Sequence, residues 1–184
     1  APNATDIYLV GDFNNWQEKK EYKLKRIKDT GNWEVKLKSD AIKHGDHYKL
    51  KVYWNGGCGE RIPAWTRRVV QDEHTHIFSA QVWNPDKPYT FKKKSFKPKT
   101  DPLLVYECHI GMSQNEEKVG TYNEFREKIL PRIAEDGYNC IQIMAIQEHP
   151  YYGSFGYHVS SFFAASSRFG TPDELKQLID TAHG

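Results

Sequence analysis

The chain has 184 residues, a hydrophobic share of 38%, an aromatic share of 14% and a net charge of +2. Size and apolar content exclude a disordered tail, and near-neutral charge gives no steering toward nucleic acid. No run of 18 apolar residues and no charged-then-apolar leader occurs, which predicts neither a membrane span nor a secreted precursor.

Residues 1–91 read as an antiparallel β domain. Ile7–Val10 is a short strand ended by the turn-rich Gly11-Asp-Phe-Asn-Asn-Trp16. Tyr22–Ile27 and Trp33–Leu37 alternate on either side of a hairpin turn, Asp29-Thr30-Gly31-Asn32. His47–Trp54 alternates again and closes at Asn55-Gly-Gly57; Val69–Val70 and His76–Val82 complete the set. Short strands at this spacing predict an antiparallel sandwich of the immunoglobulin-like kind.

Lys92 to Pro102, rich in lysine with two prolines, reads as a linker and its basic run as a solvated segment. Beyond it, in 103–184, the period changes to α/β. Leu103–Cys108 is a continuous apolar run, as expected of a buried parallel strand. Thr121-Tyr-Asn-Glu124 is a capping box, Phe125, Ile129 and Ile133 share one helical face, Pro131 predicts a bend, and Gly137 provides a left-handed exit. The strand Cys140–Ile146 then follows, parallel to the first. Thr171-Pro-Asp-Glu174 caps a last helix with Leu175, Leu178, Ile179 and Ala182 on its inner face.

Between those last elements lies Glu148–Pro172, a long loop dense in tyrosine and histidine. A ring-rich loop leaving the C-terminal end of a strand is where α/β sheets keep ligands, and flat faces with polar tips suit sugars. The same loop is also readable as packing over the top of a sheet. Three cysteines, Cys58, Cys108 and Cys140, lack metal or redox spacing and read as reduced, in a cytoplasmic protein. Glu148, His149 and His158 invite a metal reading, but an irregular loop without ligand spacing predicts none. Glu107 and His109 share a strand face and read either as an acid/base pair or as scaffold. No cofactor motif is present.

The segment Glu148-His-Pro-Tyr-Tyr-Gly-Ser-Phe-Gly-Tyr-His…Arg168-Phe-Gly-Thr-Pro172 closely resembles the 1,4-α-glucan branching enzymes of glycoside hydrolase family 13. Val105-Tyr-Glu-Cys-His-Ile-Gly111 and the Gly137–Ile146 block agree, and the first domain resembles carbohydrate-binding module family 48. The resemblance implies a β sandwich followed by the first two β/α units of an incomplete TIM (β/α)8 barrel. It implies an α-1,4-linked glucan as partner, with no nucleic acid and no membrane. It also implies a retaining mechanism with two carboxyl groups about 5 Å apart. In the family these groups sit on later strands, so no catalytic residue is expected in this chain, and the exposed strands are expected to associate with other polypeptide.

For substrate contact the resemblance implies Tyr157, stacked on a sugar, with Tyr151 and His158 beside it; His158 stands where many members have Gln. In the module it implies Trp16 and the turn Asp29, Thr30, Gly31 and Asn32. Core packing remains the other reading of Tyr157 and Trp16. Trp33 reads as core, and pattern leaves Trp54 and Trp65 unassigned. A non-catalytic glucan-binding protein, a debranching enzyme and an amylase are the alternatives.

Overall fold

Alternating apolar residues build the first strands in a computed structural model that describes residues 1–93, 95–97 and 102–184. Ile7 and Leu9 on β1 (Ala4–Gly11) pair antiparallel with Val52 and Leu50 on β4 (His47–Trp54), so one face of the ladder is continuously apolar. β7 (Phe78–Gln81) and β6 (Val69–Gln71) extend this sheet in the order β1-β4-β7-β6. β5 (Gly57–Arg61) pairs with the far half of β4, where pattern reading had placed only a closing turn. β5 contains no aliphatic or aromatic residue, so no alternation announces it.

A separate two-stranded sheet joins β2 (Lys25–Arg26) to β3 (Trp33–Glu34). The expected strand over Tyr22–Ile27 is shorter than its alternation suggested. Lys20–Tyr22 forms a 3-10 turn, Leu24 N donates to Ile7 O, and the segment divides its hydrogen bonds between β1 and β3. Trp33 is half-buried, not core, with its indole N–H on Ala1 O.

The compact units are Ala1–Pro85 and Asp86–Gly184. In the second, β8 (Val105–His109) pairs in parallel with β9 (Cys140–Met144), as predicted. Their connection starts at the Thr121 capping box and runs through α1 (Tyr122–Glu124), a π turn (Phe125–Ile129) and α2 (Leu130–Glu135). The predicted bend at Pro131 takes the form of this π turn: a wider turn directly before a proline lacking its backbone donor. Phe125 and Ile133 face a core shared with Cys108, Ile110, Tyr122, Phe169 and Leu178.

β8 is less buried than its apolar run predicted. Leu103, Leu104, Val105 and Tyr106 are exposed, because among the described residues only β9 pairs with it. α3 (Pro172–Ala182) begins at the predicted Thr171–Glu174 capping box. Leu178 is fully buried, but Ala182 is exposed in the last turn rather than on the inner face. The buried neighbour is instead Asp180, whose carboxylate accepts from Tyr89 Oη, Lys92 N and Lys93 N. Residues 86–93 are thereby strapped to α3. Of the expected linker, residues 94 and 98–101 lie outside the described residues. Among the described residues no helix is long and apolar enough to cross a membrane.

Candidate functional site

Trp16 is positioned by the turn that ends β1. Gly11 passes so close to β4 that a Cβ there would lie 2.3 Å from His47 O, which only glycine tolerates. Asp12–Asn14 then forms a 3-10 turn, Asn15 and Trp16 take positive φ, and Trp16 N donates back to Gly11 O. Asp12 divides its carboxylate: Oδ2 accepts from His47 N at 2.7 Å and Oδ1 from Trp16 Nε1 at 2.9 Å. Asn14 is buried and satisfies Gly11 N and Leu9 O, so it is framework. The indole is held at one end and remains 40% exposed.

The turn Asp29–Asn32 lies on the other, two-stranded sheet. Asp29 and Gly31 have positive φ, Thr30 Oγ1 bridges Ile27 O and Asn32 N, and the Ala1 ammonium donates to Gly31 O. Its polar groups border a depression shared with Pro2, Arg26 and Lys28. Trp16 and this turn therefore occupy different sheets of the first unit.

In the second unit the aromatic loop is anchored from beneath. Glu148 and His149 are fully buried. The Glu148 carboxylate accepts from His149 N at 3.2 Å and Ser167 N at 2.7 Å, while its carbonyl accepts from Ser160 N. These contacts join β10 (Gln147–Glu148) to β11 (Ser161–Ala165) and to the 3-10 turn Ser167–Phe169. Gly156, at φ 83°, lies against Ala145, where a Cβ would approach within 2.3 Å of Ala145 Cβ. On this base Tyr157 stands 77% exposed, with Tyr151 and His158 also exposed. Tyr157 is thus outside the core.

The remaining titratable residues separate. His149 is buried and His158 exposed, and Nδ1 of His149 lies 3.0 Å from Gln147 O. Among the described residues no group of three His, Cys, Asp or Glu residues has metal-binding placement. Glu107 is exposed and accepts from Gln142 Nε2, whereas His109 is buried beside Tyr152, Phe155 and Phe169 with neither ring nitrogen partnered. Burial and the nearby His149 hold the His109 imidazole below its usual range, so it is neutral near pH 7. Sequence reasoning missed the anchoring role of Glu148 and the strap at Asp180. The only local signal for the former is a lone carboxylate between an apolar run and a loop.

Residues 1–72 match the carbohydrate-binding module 48 family (Isoamylase N-terminal domain). Across its length the chain is similar to 1,4-alpha-glucan-branching enzymes. It is 47% identical to that of Dictyostelium discoideum over 190 residues, covering 99% of this chain and 27% of the relative. It is 46% identical to that of Saccharomyces cerevisiae over 199 residues, covering 100% and 28%. The chain therefore spans about a quarter of the length of these relatives. In fold it resembles the pullulanase from Bacillus acidopullulyticus, with TM-score 0.78, 16% identity and coverage of 100% of this chain and 26% of that one. The GBS pullulanase SAP in complex with maltotetraose gives TM-score 0.76 at 17% identity, covering 100% and 29%.

Proposed function

We propose a function for a chain that matches the carbohydrate-binding module 48 family over residues 1–72 and is similar across its length to 1,4-alpha-glucan-branching enzymes. It is the glucan-holding part of an enzyme that cleaves α-1,4 glucan and transfers the segment to a 6-hydroxyl, making α-1,6 branches. The observation that carries this reading is Tyr157, a ring standing in solvent on a loop that the buried Glu148 carboxylate anchors from beneath. Such a ring covers the C–H face of a glucose unit while its hydroxyl stays among polar groups. Trp16 offers a second face in the module, with its orientation fixed by Asp12.

The parallel pair β8–β9 and the helices that follow each strand support a reading as the first two units of a (β/α)8 barrel. The antiparallel unit before them is the glucan-binding sandwich, with 92–102 as connector. The exposed apolar end of β8 supports association with further polypeptide of the barrel. Three free cysteines, one of them exposed, support a cytoplasmic setting. The carboxylates for retaining chemistry are assigned to later barrel strands, so this chain alone turns over no glycosidic bond.

Calorimetric titration of the chain with maltoheptaose tests the binding half. Trp16→Ala is expected to weaken binding about fivefold or more, the effect of losing an aromatic anchor. Unchanged affinity would remove Trp16 from the site. For the catalytic half, the full-length protein should raise the share of α-1,6 linkages in amylose, and Tyr157→Ala should lower that rate. A full-length protein that only shortened the chains would instead be an amylase.

A further inference from the structure

Trp54 ends β4, and its indole lies along the neighbouring β5 instead of in the sheet core. A Cβ on Gly57 would sit 3.2 Å from Trp54 Nε1, and one on Gly59 would sit 3.3 Å from Cη2 and 2.9 Å from Arg61 Nη1. Glycine at both positions leaves the backbone of β5 as a floor for the ring. The Arg61 guanidinium carbon is 5.4 Å from the ring centroid, and Nη1 is held by Glu60 O at 2.8 Å. Trp54 is 36% exposed and Arg61 is exposed. Trp16 and Trp33 donate their indole N–H groups within the chain, to Asp12 and Ala1 O. Among the described residues the Trp54 N–H has no acceptor.

The exposed part of the indole with its free N–H, and a guanidinium over the ring, offer a polyhydroxylated ligand an apolar surface for its C–H groups and donors for its hydroxyls. The geometry points to a second α-glucan contact on this module, a ledge formed by Trp54 and Arg61 on β4 and β5. The inference rests on the module reading above, since the matched residues 1–72 include the whole ledge. The register places it apart from Trp16. Gly11, from which the Trp16 turn departs, is opposite Tyr48, while Trp54 is opposite Ala4 at the far end of the same ladder. Six residues of strand separate the two ends, about 20 Å at about 3.3 Å per residue. One long glucan that touches both ends gains avidity over a short one.

The test uses the whole chain and maltoheptaose as probe, following the indole N–H cross-peaks by NMR. In Trp16→Ala, the Trp54 peak is expected to move saturably on titration. In the wild-type background, Trp54→Ala should weaken maltoheptaose binding about fivefold to tenfold, as for an aromatic anchor. Trp54→Phe, which keeps a ring without the donor, should lose less and guards against a folding defect in the alanine variant. A Trp54 peak that stays fixed while the Trp16 peak of the wild type moves would overturn the ledge and leave the module reading standing. If no indole peak moves and no heat is released, both readings fall.

Discussion

His109 is the residue whose setting conflicts most with its chemistry. Its two ring nitrogens are buried without partners, so adding a proton there would place a charge among Tyr152, Phe155 and Phe169. The unfolded chain takes up that proton near pH 6.5, and the folded chain resists it, because burial and His149 lower the folded value. Below about pH 6.5 the unfolded state therefore binds more protons and stability falls as pH drops. Urea midpoints at pH 7.5 and 5.5 should differ, and His109→Phe should shrink the difference. The lowered carboxyls of Asp180 and Glu124 act in the same direction, but in a more acidic window, below the ordinary carboxylate range. Glu148 is the counterpart. Glu148→Ala strands the amides of His149 and Ser167, and should cost about 1–3 kcal/mol in urea unfolding, the penalty for a buried unpaired donor.

At the scale of elements, Asp180 shows how a single carboxylate on a helix can hold an extended segment. Asp180→Asn should accelerate hydrogen exchange of the Lys92 and Lys93 amides more than that of the α3 amides, and equal acceleration would show loss of the helix itself. Nothing in the sequence announces this strap, because Tyr89 and Asp180 are 91 residues apart. What was legible was local. The capping boxes at Thr121 and Thr171 are formed as their spacing requires, since cap and first turn are neighbours in sequence. β4 was legible because its apolar positions Leu50 and Val52 lie opposite Leu9 and Ile7 of β1, which has the same period. β5 was not legible, since two glycines flanking a cysteine give no face. The exposure of Leu103–Tyr106 was not legible either, because an apolar run specifies what it needs and not whether a partner is present. At the candidate site the ring density around Tyr157 was readable, whereas the network that supports it is assembled from Glu148 and Ser167 across a loop.

For the molecule as a whole, the first unit builds a five-stranded antiparallel sheet and a two-stranded one, while β8 and β9 form a two-stranded parallel sheet among the described residues. Parallel sheets are ordinarily covered on both faces and extended at both edges. Hydrogen exchange across β9 should therefore be faster in the isolated chain than in a full-length protein, and equal protection in both would show that the pair needs no further strands. In a polypeptide as long as its relatives, this imbalance has a consequence for biosynthesis. The antiparallel unit can fold on its own pairing as it is made, but strands that need further strands stay bare until those are synthesised, at about 5–20 residues per second. Over that interval Leu103, Leu104 and Val105 are the surface on which a nascent-chain chaperone would settle.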